Sequence, residues 1–182
     1  MSRLALVVTS LVATLAFAGE LKGVKSPDSI AVEGKTLVLN GMGLRTKVVF
    51  KVYVASLYLE AKEKDPAKII AADGVRQVKL HMLRDLESHK VTEALTAGFE
   101  KNSKADLPKL KDRLDTLVKA IPDLKEGQEL SITYVPGKGT TVSGPGKEAT
   151  VEGKDFNDAL LKVWLGADPV DGDCKSGMLG NG

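Results

Sequence analysis

The 182-residue chain has one cysteine, two histidines and few aromatic residues: one tryptophan, three tyrosines and four phenylalanines. Each shortage removes a class of chemistry. The lone thiol, Cys174, cannot close an internal disulfide, and no spacing ties His81 or His89 to it, so the chain spells out no nucleophile-base pair. Cys174 reads as a partly buried, unpaired thiol, and His81 as a solvated strand residue. Metal-ligand spacing is missing too. Asp168, Asp171 and Asp173 invite comparison with a calcium loop, but such a loop needs a bidentate glutamate at its twelfth position, where this chain has Leu179. Gly137-x-Gly139 is followed by neither a helix nor a Lys-Ser/Thr pair, so it reads as a turn rather than a phosphate loop. No metal and no cofactor are expected. Charge of one sign is also scarce: 26 basic against 24 acidic residues give a net charge of +2, without the strongly basic face by which a nucleic-acid partner announces itself.

No apolar run reaches the roughly 20 residues of a spanning helix. The run from Leu4 to Phe17 follows Arg3 and ends in Ala16-Phe17-Ala18, the pattern of a secretory leader and its cleavage site. Residues 1–18 are therefore expected to be a signal peptide cleaved after Ala18, giving a periplasmic or secreted protein with no stable membrane anchor. Residues 19–182 suit one domain with its own core. Nothing in the sequence fixes an oligomeric state.

The remaining chain runs strands, helices, strands, helix. Alternation predicts a hairpin of Ile30 to Glu33 and Thr36 to Leu39, a glycine-rich bend at Gly41 to Gly43, and then one long strand to Glu60. A brief helix after Asp65-Pro66 and a strand over Val75 to Leu83 follow. Val91, Leu95 and Phe99 recur every four residues behind Ser88, which can cap a helix, and Leu110, Leu114 and Leu117 follow Asp106 at helical spacing, so two amphipathic helices are expected. Strands return at Glu129 to Val135, Thr140 to Ser143 and Ala149 to Val151. A last long helix carries Phe156, Leu160, Val163 and Trp164 and stops at Gly166.

The segment from Asn40 to Glu60 says most about function. Val48, Phe50, Val52 and Val54 fall on one parity, and Val49, Tyr53, Ala55, Leu57 and Leu59 on the other, so both faces of the strand require cover. Arg45, Lys51 and Tyr53 share one parity within it. A guanidinium suits a carboxylate because two parallel N–H donors meet two oxygens, and a tyrosine hydroxyl can complete the set. Along one straight strand, however, Arg45 and Tyr53 would stand about 26 Å apart. They converge only if the chain reverses or bulges between them, and no Asn-Gly or Asp-Gly marks such a turn. The packing alternative makes Arg45 a strand-end surface cation and Tyr53 a core residue.

Leu39-Asn-Gly-Met-Gly-Leu-Arg-Thr46, Phe50-Lys-Val-Tyr-Val-Ala-Ser-Leu-Tyr-Leu59, Arg84-Asp85 and the closing Lys-Val-Trp-Leu-Gly166 occur in this order. In them the chain resembles the chalcone isomerase-like family, in its short exported bacterial form. The resemblance implies an α+β fold, an open-faced β-sandwich in which a large antiparallel sheet is covered on one side by helices, with a ligand cleft between them. It implies one of two activities. Enzymes of the family close a phenolic enone by intramolecular addition, as an isomerase (intramolecular lyase), with an arginine on the phenolate. Other members bind fatty acids, with an arginine and a tyrosine on the carboxylate. By position Arg45 matches the family arginine, and Tyr53 matches the fatty-acid binders' tyrosine where the enzymes carry threonine. The expected ligand is thus a small amphipathic or phenolic molecule, held by Arg45 and Tyr53 with Lys51 as a second cation. If the protein is enzymatic, Arg45 and Tyr53 are the catalytic pair. Asn102, Thr133 and Tyr134 are weaker site candidates.

Overall fold

A computed structural model describes residues 17–181. The expected leader, residues 1–18, lies outside the described residues except for the backbone of 17 and 18, which opens the first strand.

A hairpin of β1 (Phe17–Leu21) and β2 (Val24–Pro27) stands apart from a seven-stranded antiparallel sheet. The sheet is β3 (Ser29–Val32), β4 (Lys35–Lys47), β5 (Phe50–Leu59), β6 (Arg76–Met82), β7 (Glu129–Val135), β8 (Gly139–Gly144) and β9 (Lys147–Val151), and the strands lie side by side in chain order. Helix α1 (Pro66–Ala71) links β5 to β6. The long helices α2 (Ser88–Asn102) and α3 (Leu107–Lys119) link β6 to β7, and α4 (Lys154–Leu165) and α5 (Gly172–Met178) follow β9. The helices and the sheet enclose one core, containing Leu57, Leu80, Phe99, Leu117, Phe156 and Trp164. Leu37, Leu39, Tyr58 and Val75 form a smaller cluster, and Ser26 on β2 meets Ser56 on β5 at 2.8 Å. Every residue of β5 from Val52 to Leu59 is consequently buried, as its two apolar parities require. The fold is α+β, a large curled antiparallel sheet with helices on one side.

The predicted helices are present with small boundary changes. At the start of α2 the predicted Ser88 cap is replaced by Asp123, whose Oδ1 accepts from the Ser88 backbone N–H at 2.8 Å. Arg113 on α3 grips Asp155 on α4 with two bonds of 2.8 and 2.7 Å.

The largest departure lies in the Asn40 to Glu60 segment. Gly41 to Gly43 do not form a bend; they sit inside the thirteen-residue β4. These glycines serve close approach rather than turning. A Cβ at Gly41 would collide with the carbonyl oxygen of Gly177, and one at Gly43 with that of Cys174, so α5 lies on bare strand backbone. The reversal comes later, at Val48-Val49, where Lys47 pairs with Phe50. The first residue of this two-residue loop, Val48, has φ of 59°, a conformation costly for a β-branched side chain and normally given to glycine in such turns. That choice of residue is why the turn escapes sequence reading.

Two register shifts interrupt the pairing of β4 with β5. One leaves Asn40 without a partner. Its amide donates to the Met178 carbonyl at 2.9 Å and its carbonyl oxygen accepts from the Glu63 N–H at 2.9 Å, anchoring the C-terminal helix to the strand. The other leaves Val52 as the extra residue, since Arg45 pairs with Tyr53 and Thr46 with Lys51. A bulge of this kind reverses the facing of everything beyond it.

If α5 depends on bare backbone, Gly43→Ala must push the helix off the strand and destabilise the protein by about 2 kcal/mol or more. Urea unfolding of the variant should show this loss, whereas Gly172→Ala, with open space around it and no left-handed φ, should cost far less.

Candidate functional site

The hairpin places Arg45 directly opposite Tyr53, with the guanidinium carbon 5.6 Å from the tyrosine ring centroid. Both line a cavity of about 280 Å³ between the sheet and the helices. Its apolar wall comes from β5, β6 and β7 on one side, including Val52, Leu80, Met82 and Ile132, and from Val91 and Leu95 of α2 with Val163 and Trp164 of α4 on the other. Charged side chains, Arg45, Lys47, Arg84, Asp85 and Lys90, contribute the polar remainder.

Tyr53 is 3% exposed and its hydroxyl oxygen accepts from the Trp164 indole N–H at 2.9 Å. That bond fixes the phenol while leaving its own proton able to donate. Burial pushes the hydroxyl up from an ordinary 10.0 to about 12, against the opposing pull of the Arg45 charge, so the group is a neutral donor at physiological pH and unsuited to act as a base. Cys174 is buried nearby; burial, with Asp171 adding to it, raises its thiol from 9.0 to about 12, which leaves it unreactive.

The Nε of Arg45 is buried and has no hydrogen-bond partner, and no carboxylate lies within ion-pair distance of this guanidinium among the described residues. The near-fully buried Arg76 shows what a satisfied guanidinium looks like in the same protein. Its Nε donates to Asn157 at 2.7 Å, its Nη1 to the carbonyls of Ile69 at 2.7 Å and Ala72 at 2.9 Å, and its Nη2 to Asp158 at 2.9 Å. Its plane lies over Tyr134, 4.9 Å from the ring centroid. Arg76 ties the start of β6 to α1 and α4. No sequence motif marks this structural role, since an arginine opening a strand usually faces water.

The structure brings Arg45 and Tyr53 together and separates the other sequence candidates from them. Lys51 does not line the cavity and is exposed, because the Val52 bulge turns it away and turns Phe50 in. Asn102 braces the loop after α4: its amide donates to the carbonyls of Gly98 and Asp168 at 3.1 and 2.8 Å, and its oxygen accepts from the Asp168 N–H at 2.9 Å. Thr133 accepts from Gln77 at 2.8 Å, and Tyr134 donates to Asp73 at 2.6 Å beside Arg76. Sequence reasoning placed Trp164 on a buried helix face but gave it no site role. Arg84 and Phe50 were likewise unassigned to the cavity.

A curled sheet, helices over one face and a ligand-sized cavity between them define a sheet-and-helix fold with a cleft. Residues 18–180 match the description of the chalcone isomerase-like family, and the chain belongs to that family. Among solved structures, the crystal structure of a fatty-acid binding protein from Arabidopsis thaliana is similar, with a TM-score of 0.68 at 19% identity over 87% of this chain and 93% of that one. That likeness is one of fold. A search of curated proteins finds no match to this chain.

The two arginines predict opposite mutational outcomes. Arg76→Met strands Asp158, Asn157 and several carbonyls, and should lower stability by about 3 kcal/mol or more. Arg45→Met removes a half-buried guanidinium whose Nε has no acceptor, and should change stability by less than about 1 kcal/mol or raise it. Urea unfolding of both variants reads the contrast directly.

Proposed function

We propose that this protein is an exported binding protein for a small amphipathic acid, a fatty acid or similar, held in the cavity with its carboxylate on Arg45 and Tyr53. The observation that carries the reading is the buried Arg45 Nε without an acceptor, in a cavity that joins a large apolar wall to the charged side chains of Arg45, Lys47, Arg84, Asp85 and Lys90. Leaving a buried N–H donor without an acceptor is costly, and a carboxylate would offset that cost with charge-assisted bonds. The Tyr53 proton supplies a further donor, in an orientation that Trp164 sets in advance. Apolar side chains beyond the pair suit a hydrocarbon tail.

The size of the cavity narrows the ligand. At about 280 Å³ it lies near the lower bound of small-molecule sites, roughly 300 to 1,000 Å³. It fits a short or medium chain wholly inside, or a longer chain whose end leaves through the opening. The fatty-acid binding protein of similar fold supports the class of ligand. The leader expected at residues 1–18 supports action in the periplasm or outside the cell.

Native mass spectrometry and thermal shift with saturated acids of increasing length test the reading. Binding should be strongest for short and medium chains and should fall about tenfold to a hundredfold in Arg45→Met, the worth of a charged hydrogen bond. Tyr53→Phe should lose less. Undiminished acid binding by Arg45→Met, or no binding by the wild-type protein, contradicts the proposal.

A further inference from the structure

The hairpin tip between β4 and β5 breaks two rules at once. Val48, Val49 and Phe50 are 88%, 77% and 55% exposed, and they alone appear as exposed large hydrophobic side chains among the described residues. Three consecutive apolar side chains in water are a cost that solvent-facing turns avoid. The turn is also strained, because valine occupies the left-handed φ of 59° at position 48 where glycine would be comfortable. A tip built only to reverse the chain would be polar and glycine-bearing.

The tip has a basic collar. Lys47 and Lys51 flank it in sequence, and the Arg84 guanidinium lies 4.7 Å from the Phe50 ring centroid. None of the three has an ion-pair partner among the described residues, although paired lysines are common over the rest of the surface. The one acid beside Arg84, Asp85, is taken by Lys125 at 2.9 Å and by the Glu126 N–H at 3.0 Å. Lys47, Val48, Phe50 and Arg84 also line the cavity, so the tip and the cavity opening form one continuous surface.

We propose that the Val48-Val49-Phe50 tip inserts into the interfacial region of an anionic lipid bilayer, with Lys47, Lys51 and Arg84 on the headgroups. Apolar side chains that enter the acyl boundary beside unpaired cations at headgroup level are what such a surface accepts. An apolar protein groove would answer the valines but not the cations. The geometry faces the cavity opening toward the bilayer, the reservoir of the amphipathic acid; in that purpose the inference rests on the ligand reading above, although the contact itself does not.

The test uses the full chain with Val49→Cys carrying an environment-sensitive fluorophore, and Lys138→Cys, in the β7–β8 turn at the opposite end of the sheet, as the control. Cys174 is buried and does not compete for label. With vesicles of phosphatidylglycerol and phosphatidylcholine, the label at position 49 should shift to the blue and the label at 138 should not. Adding Lys47→Gln and Lys51→Gln should weaken the vesicle affinity read at position 49 by about thirtyfold, two headgroup-level lysines' worth, as should vesicles of phosphatidylcholine alone. No shift at 49, equal shifts at both positions, or a shift that grows with protein concentration without vesicles and so identifies a second copy as the occupant, each overturns the proposal. No acid is added, so failure here leaves the cavity reading standing, and failure of acid binding leaves this one untouched.

Discussion

A donor withdrawn from water must be answered by an acceptor, and this protein contains the answered case in the almost wholly buried Arg76 and an unanswered one in the Nε of the half-buried Arg45. Arg76 spends its donors on two side chains and on main-chain carbonyls, and in doing so holds helices to the sheet. Arg45 spends its position on a cavity. The difference is one of surroundings, since the charge and the fork of donors are the same. A protein selected for stability alone would pair both or replace one with an apolar residue. Arg45 instead keeps a cation beside the cavity, over the Tyr53 ring and with its Nε unanswered.

The rest of the architecture can be followed outward from that side chain. Gly41 and Gly43 let α5 lie on β4, and Arg45 is the next residue of that spacing along the strand. The reversal at Val48-Val49 brings Tyr53 opposite it, and the bulge at Val52 aims Phe50 and Val52 into the cavity while sending Lys51 out. From the helix layer, Trp164 reaches down to hold the phenol. Sheet, bulge, terminal helix and α4 each supply one part of a polar corner in an apolar space, which is how a largely preformed site is made.

Helix positions were legible in the sequence because their apolar residues recur at every third or fourth place and nothing competes with that signal. Strands β6 and β7 were legible for the same reason at period two. The resemblance of the Gly-x-Gly-x-Arg and Val-Tyr segments to one family also carried the fold. The region around the cavity was not legible in the same way. Glycine signals either turning or close approach, and at Gly41 and Gly43 only the presence of α5 tells which. The true turn has valines where glycine or asparagine would have marked it. The bulge at Val52 carries no residue signal, yet it reverses parity, so counting along a straight strand sets Lys51 on the face of Arg45 and Tyr53, while in the structure Lys51 is exposed and does not line the cavity. Arg76 acquires its side-chain partners on α4 from 81 and 82 residues away, and Trp164 its partner Tyr53 from 111 residues away, beyond the reach of any local pattern.

The claim on which everything turns is that the Arg45 Nε–H is a donor awaiting a carboxylate. Nitrogen-15 NMR of the arginine side chains, followed while decanoate is added, examines that donor itself and carries Arg76 as an internal control. The account predicts that the Arg45 Hε resonance moves strongly downfield and sharpens as the acid binds, while that of Arg76 stays where it is. An Arg45 signal unmoved at saturating acid, or one already shifted downfield before any is added, would contradict it.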